Sequence, residues 1–331
     1  MFELYGQDAV KRQLYNQINK NEISHAYIFS GNPGLGKKTL AGQFAKAIFC
    51  EGQNKPCNAC KPCLLVNSKA HPDFKVIKEE DKKQLSVETI RNMVRDIYIK
   101  PYLAKKKIYV IHDAHTMTAA SQNALLKVFE EPPLYAVIIL ISQDDKKLLP
   151  TIRSRAQVLR FLPNKREEVL EYIQKNHNID EKYANFIANI SEGNIGKAES
   201  LLNNPEYFSL RQNFIESLLC LQHEKSHCFG IAGFFEKYDI NFLFDFFSSF
   251  LRDALILKVL GDELRLINQD FSEKIRAFCE NVTAKGILAS LNLVLDTKAK
   301  MTQSSKENLW ILELLLNCWE ELHGESHWSQ V

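Results

Sequence analysis

The sequence lacks any apolar run long enough to cross a bilayer; its longest, Ala136 to Ile141, has the length of a strand. It also lacks a charge excess. Lys and Arg number 42 against 40 Asp and Glu, a formal net charge of +2. Whole-chain attraction to nucleic acid is thereby excluded, and any DNA contact must come from a local patch or through a partner. Met1-Phe2-Glu3-Leu4 lacks the basic stretch and apolar core of a secretory signal, so a cytoplasmic location without membrane attachment is expected. Internal repeats and low-complexity tracts are missing too, which excludes a repeat architecture.

What is present is an ordinary globular composition, 45% hydrophobic and 25% charged over 331 residues, enough for two or three domains with their own cores. Val10, Leu14 and Ile18 recur at helical spacing within Ala9 to Asn19. Ala26-Tyr27-Ile28-Phe29-Ser30 reads as a strand and runs into Gly31-Asn32-Pro33-Gly34-Leu35-Gly36-Lys37-Lys38-Thr39, with a helix expected over Thr39 to Phe49. Strand, glycine loop and helix form the setting of a phosphate-binding loop, whose backbone N–H groups wrap phosphates while its lysine reaches the terminal ones. Gly31, Pro33, Gly34, Gly36, Lys37 and Thr39 are the candidate nucleotide-binding residues. The loop is degenerate at one place. The slot for a Mg²⁺-binding hydroxyl is Lys38, and an ammonium has three donors and no acceptor. Thr39 carries a hydroxyl one residue late, roughly 100° further round the helix.

Downstream, Gln84 to Tyr98 reads as a helix, Lys107 to Ile111 as a strand, Ala119 to Glu130 as a helix and Ala136 to Ser142 as a strand. Strands alternating with helices predict an α/β fold with a parallel sheet. After Pro163 no strand is evident, and from about Tyr207 onward the pattern is helical and rich in Phe and Leu. The expected division is an α/β domain over 1–162, a small helical domain over 163–206 and an all-α domain over 207–331. Trp310, Ile311, Leu314, Leu315, Cys318 and Trp319 cover a broad helical face, suited to the middle of a bundle or to a subunit interface.

Three constellations carry chemistry. A nucleotide motor needs an acidic pair after a strand beside the loop, one acid for Mg²⁺ and the next for water. Here Ile108 to Ile111 is followed by His112-Asp113-Ala114-His115. In one register His112 takes the metal position and Asp113 the water position; in the other Asp113 takes the metal position and Ala114 the second. Either way an essential group is lost. Cys50, Cys57, Cys60 and Cys63, in the spacing C-x6-C-x2-C-x2-C, form a donor set for structural Zn²⁺ with no open coordination position, and His71 is an alternative fourth ligand. In a reducing compartment such a cluster reads as metal-binding rather than disulfide-bonded. Finally, Ser154-Arg155-Ala156 follows a strand and a loop; spacing alone leaves Arg155 as a surface residue or a functional one.

These residues, with Ser121-Gln122-Asn123-Ala124-Leu125-Leu126-Lys127-Val128-Phe129-Glu130-Glu131-Pro132-Pro133, resemble bacterial clamp-loader ATPases of the AAA+ class. The resemblance is clear over about residues 4–200 and architectural beyond. It implies an AAA+ P-loop domain with a zinc module at about 50–63, a helical lid domain and a C-terminal helical collar. Motor members, the gamma/tau subunits, keep Ser/Thr after the loop lysine, an Asp-Glu pair and a sensor arginine in a G-S-x-R segment. This chain has Lys38, His112-Asp113 and Gly193-Asn194-Ile195-Gly196, with Gly196 at the arginine's place. The resemblance therefore implies a stator that does not turn over ATP alone, with nucleotide and Mg²⁺ weak or absent. Arg155 would act in trans on a neighbouring subunit's ATP, and Ala156 replaces the usual cysteine. The implied partners are gamma/tau and delta subunits in a hetero-pentamer, with the sliding clamp and primed DNA reached through the complex. The complex is part of the DNA polymerase III holoenzyme, a DNA-directed nucleotidyltransferase. Two rivals are an active ATPase rescued by Thr39 and Asp113, and a zinc-dependent DNA-binding module; near-neutral charge opposes the latter.

Overall fold

The computed structural model describes residues 2–79, 84–204, 206–221, 223–301 and 307–324. They fall into two compact units, 1–172 with 193–197, and 173–192 with 198–331.

The first unit is built on five strands: β1 (Ala26–Ser30), β2 (Phe74–Ile77), β3 (Lys107–Ile111), β4 (Ala136–Ser142) and β5 (Gln157–Arg160). All pair in parallel, in the order β2-β3-β4-β1-β5. The central strands β1, β3 and β4 are buried along their whole length. This explains why they read as unbroken apolar runs, since a parallel sheet is covered on both faces. Side chains alternate between the faces. Tyr27, Phe29, Val110 and Ile139 enter one core with α1 (Asp8–Lys20) and α2 (Lys37–Phe49). Ile28, Tyr109, Ile138 and Leu140 enter the other with α4 (Val87–Ile97) and α5 (Ala119–Glu130). Between α2 and β2 lies the short α3 (Lys61–Asn67). The one-turn α6 (Pro150–Arg153) leads into β5.

α4 and α5 begin on side-chain caps: Ser86 accepts from the Thr89 N–H and Thr118 from the Ser121 N–H. Asp73, 1% exposed, accepts the N–H groups of Tyr102, Leu103 and Ala104 at 2.6, 2.7 and 2.8 Å and so fixes the segment entering β3. The edge strands β2 and β5 went unread in the sequence because each is four residues long and mixes apolar with charged or amide side chains.

α7 (Arg166–Asn176) leaves the first unit, and α8 (Glu181–Ile190) and most of α9 (Ile195–Leu202) lie in the second. The rest is helical: α10 (Tyr207–Cys220), α11 (His227–Lys237), α12 (Ile240–Leu260), α13 (Ser272–Glu280), α14 (Ala284–Met301) and α15 (Glu307–His323). α14 packs against α12 and α15, and α11 against α15. Ile311, Leu314, Leu315 and Cys318 of α15 are buried within this bundle, so much of the broad apolar face is spent inside the chain. Arg211 is fully buried: its terminal nitrogens pair with Asp270 at 2.6 Å and donate to Asn268 at 2.9 Å, its plane stacks over Phe186, and its Nε has no hydrogen-bond partner among the described residues. No helix among the described residues is long and apolar enough to cross a membrane.

Candidate functional site

The glycine loop leaves the C-terminal end of β1 and enters α2, as the strand–loop–helix pattern requires. Gly34 and Gly36 both have φ of +81°, a conformation that disfavours any side chain. Lys37, 6% exposed, turns back on the loop: its ammonium donates to the carbonyl oxygens of Gly31 and, at 2.6 Å, Asn32. Burial pushes its pKa down to about 8.

Lys38 points its ammonium at the Asp113 carboxylate, 3.5 Å away, and both side chains are about half exposed. Asp113 follows β3 in a left-handed conformation, φ +49°. The acid that follows β3 is thus paired with the ammonium that stands in the metal-ligand slot. His112 is anchored by its N–H to the Ile77 carbonyl. Burial, and then Lys38, lower its pKa, so the imidazole is neutral near pH 7. Burial lowers the His115 pKa as well. Thr39 lines a cavity over β2 and β3 together with Phe74 and Val76; none of residues 31–37 lines it.

The segment expected to hold a sensor arginine sits on the loop itself. The Gly196 N–H donates to the Gly34 carbonyl at 3.0 Å, and the Asn194 amide donates to the Pro33 carbonyl at 2.7 Å. A Cβ on Gly196 would stand 2.5 Å from the Gly34 Cα and 3.0 Å from its carbonyl oxygen. No side chain fits there while the segment is docked. Asn194 was not foreseen as a contact; its only signal was its place in the Gly193–Gly196 segment.

Arg155 lies at the other end of the sheet. β5 pairs with β1 through Tyr27 and Gln157, so Arg155 precedes β5 on the side opposite the loop. At about 3.3 Å per residue, the four residues from Tyr27, the partner of Gln157, to Gly31 amount to roughly 13 Å of strand, and Arg155 lies in the turn before β5. Its guanidinium pairs with Glu130 at 3.2 Å and donates to the Thr151 carbonyl at 3.1 Å, with the side chain 38% exposed. Glu130 ends α5 inside the E-E-P-P segment, which sequence alone gave no reason to connect with Arg155.

The four cysteines converge. Cys50 follows α2, Cys57 and Cys60 lie in the turn after it, and Cys63 lies in α3. Their sulfur atoms all lie within 4.8 Å of one another. N–H groups of Gly52 and Cys57 donate to the Cys50 sulfur at 3.4 and 3.3 Å, and that of Cys60 to the Cys57 sulfur at 3.3 Å. N–H groups of Ala59 and Cys60 bring the Cys57 pKa down to about 6, which favours the thiolate that binds metal. The donor set fits tetrahedral Zn²⁺. His71 stacks on Phe49 at 4.1 Å and is not among the clustered ligands, so the four thiols suffice without it.

Residues 6–165 match the family described as DNA polymerase III, delta subunit, and residues 205–320 match its C-terminal family. The DNA polymerase III subunit delta' of Bacillus subtilis (strain 168) is 30% identical over 302 residues, 89% of this chain and 91% of that one. The delta' subunit of Pseudomonas aeruginosa is 26% identical over 95% of this chain and 97% of that protein. The tau subunit of B. subtilis is 31% identical over 62% of this chain, a match that spans 38% of its own length. A parallel five-stranded sheet with a glycine loop after β1 and a four-cysteine insert after the loop helix defines a P-loop α/β protein, similar in sequence to DNA polymerase III gamma/tau subunits. Within that class, the chain belongs to the DNA polymerase III delta' subunit family.

Proposed function

We propose that this chain is the stator of a clamp loader: it turns over no ATP itself and lends Arg155 to a neighbouring subunit's nucleotide. The observation that carries the reading is the position of Arg155, in the turn before β5 and paired with Glu130 there, with roughly 13 Å of strand between the start of β5 and the chain's own glycine loop. The loop end supports the same reading. Lys38 occupies the metal-ligand slot and pairs with Asp113, Lys37 is turned onto loop carbonyls, and Gly196 leaves no room for a sensor side chain. The ATPase rival needs Thr39 and Asp113 to share an ion. Asp113 already faces an ammonium, and Thr39 lines a cavity to which residues 31–37 do not contribute.

An arginine presented to a transferring phosphoryl group stabilises the charge that develops there, worth about 10³–10⁵ in rate in other systems. A subunit keeps that donor at no cost when its own hydrolytic groups are gone. The four thiolates hold a structural Zn²⁺ that contributes to folding of the insert. Residues 163–206 act as a lid and 207–331 as a collar joining gamma/tau and delta subunits in a cytoplasmic pentamer that loads the sliding clamp on primed DNA. Arg155→Ala, assembled with gamma/tau and delta, lowers clamp-stimulated ATPase at least tenfold with the complex intact by size exclusion, and Arg155→Lys recovers little, because a point charge does not replace the planar fork. An unchanged rate in an intact Arg155→Ala complex refutes the assignment.

A further inference from the structure

Glu130 is the last residue of α5, and Glu131 caps the helix after it. The free carbonyl groups of a helix C-terminus carry partial negative charge, so carboxylates are disfavoured there and ammonium groups favoured. Lys127 stands in the same last turn, yet among the described residues the ion pair Glu130 makes is with Arg155, at 3.2 Å. Their side chains are 51% and 38% exposed, and a pair so open to water adds little to folding. The stability of α5 thus gives no reason for a carboxylate at this position.

Both partners project from fixed backbone. Val128 and Phe129, just before Glu130, are buried in the core on the α5 side of the sheet, together with Ile152; Ala156 packs against the same core. The Arg155 N–H donates to the Ile152 carbonyl at 3.2 Å. What is left to order is the arginine side chain itself, whose rotamer freedom is among the largest of any residue. Two acceptors restrain it. The Thr151 carbonyl accepts from Nη1 at 3.1 Å, and the Glu130 carboxylate faces Nη2. A guanidinium has five N–H donors, so these bonds orient its plane and leave donors for a second anion. Glu131 carries the same charge one residue on, is exposed, and makes no bond to Arg155.

We propose that Glu130 is a positioning residue for Arg155. Its carboxylate holds the guanidinium in one orientation before the neighbouring subunit docks, so that docking does not have to order a free side chain. Glu130 itself touches no nucleotide. The inference rests on the stator role proposed above for Arg155.

Steady-state ATPase of the loader assembled from gamma/tau, delta and this chain, with sliding clamp and primed DNA, tests it. Glu130→Ala is expected to lower kcat about three- to tenfold, less than Arg155→Ala does, because a misplaced group loses part of its effect. KM for ATP stays within about twofold, since the neighbour's own pocket binds the nucleotide. Glu130→Gln keeps an acceptor oxygen and recovers at least about half of the parental rate. Glu131→Ala removes the same charge without a bond and keeps the parental rate. In an Arg155→Ala background, Glu130→Ala brings no further loss, whereas a carboxylate needed only for folding would lower the rate in both backgrounds and lower the melting temperature. Three results overturn the positioning role while Arg155→Ala remains impaired: a parental or higher rate in Glu130→Ala, the higher rate making the carboxylate a latch that competes with phosphate; an equal loss in Glu131→Ala; or the same fractional loss with and without Arg155. An unchanged Arg155→Ala rate instead refutes the stator role, and the positioning role with it.

Discussion

Two helical glycines in the first unit respond to the same substitution with opposite sign. Gly42 lies inside α2, and a Cβ built there meets nothing within 4 Å. Gly42→Ala removes only the entropic penalty of glycine in a helix and stabilises by about 0.5–1 kcal/mol. Gly196 lies in α9, and its backbone also accommodates alanine, yet the new methyl would stand 2.5 Å from the Gly34 Cα and 3.0 Å from the Gly34 oxygen. Both contacts are backbone atoms of a constrained loop, so they yield only if the segment withdraws. Overpacking of this kind costs about 1–3 kcal/mol. Withdrawal also forfeits the Gly196–Gly34 hydrogen bond, about 0.5–1.5 kcal/mol net. Set against the helix-propensity gain, Gly196→Ala is expected to destabilise by about 1–3 kcal/mol. At roughly 2–4 °C per kcal/mol for a unit of this size, thermal melts followed by circular dichroism resolve the pair: Gly42→Ala rises and Gly196→Ala falls. A Gly196→Ala protein that melts as high as Gly42→Ala refutes the docked-segment reasoning, and with it the account of why the sensor position is glycine.

Asp73→Asn loses a charge-assisted acceptor for three N–H groups and is expected to cost about 1.5–3 kcal/mol in urea unfolding. Burial alone would raise the Asp73 pKa, but the N–H groups of Tyr102, Ala104 and Leu103 outweigh it and hold the carboxyl below its ordinary value. Its stabilisation is therefore complete above the unfolded value near 4 and is lost as pH falls through the lower folded one; acid titration of the Asn variant should show that loss missing. Cys60→Ser is expected to reduce zinc from about one equivalent to under half, measured by elemental analysis of purified protein; a full equivalent in the variant refutes the four-thiolate site. On the proposed stator role, Arg155→Ala is expected to lower ATPase in the assembled complex and to leave the isolated chain at background, measured by steady-state phosphate release.

The central strands were legible because burial on both faces makes them continuous apolar runs, as in Ala136 to Ser142. The glycine loop was legible because Gly34 and Gly36 meet a backbone demand that few other residues satisfy. The edge strands were not, since four residues with one side unpaired carry little period. Nor was the Arg155–Glu130 pair, whose partners meet only because α5 ends and β5 begins at the same end of the sheet.

From the chain of residues alone came the chemistry: an ammonium where magnesium needs oxygen, four thiols at metal-binding spacing, and an arginine after a serine near the end of the α/β region. Tertiary structure decided distance and direction. It joined Lys38 to Asp113 across 75 residues, set the Gly196 backbone against Gly34, and placed Arg155 at the far end of the sheet. The physical reason is that residue type fixes which bonds a group is able to make, whereas strand order and register, set by burial of both sheet faces, fix which groups meet.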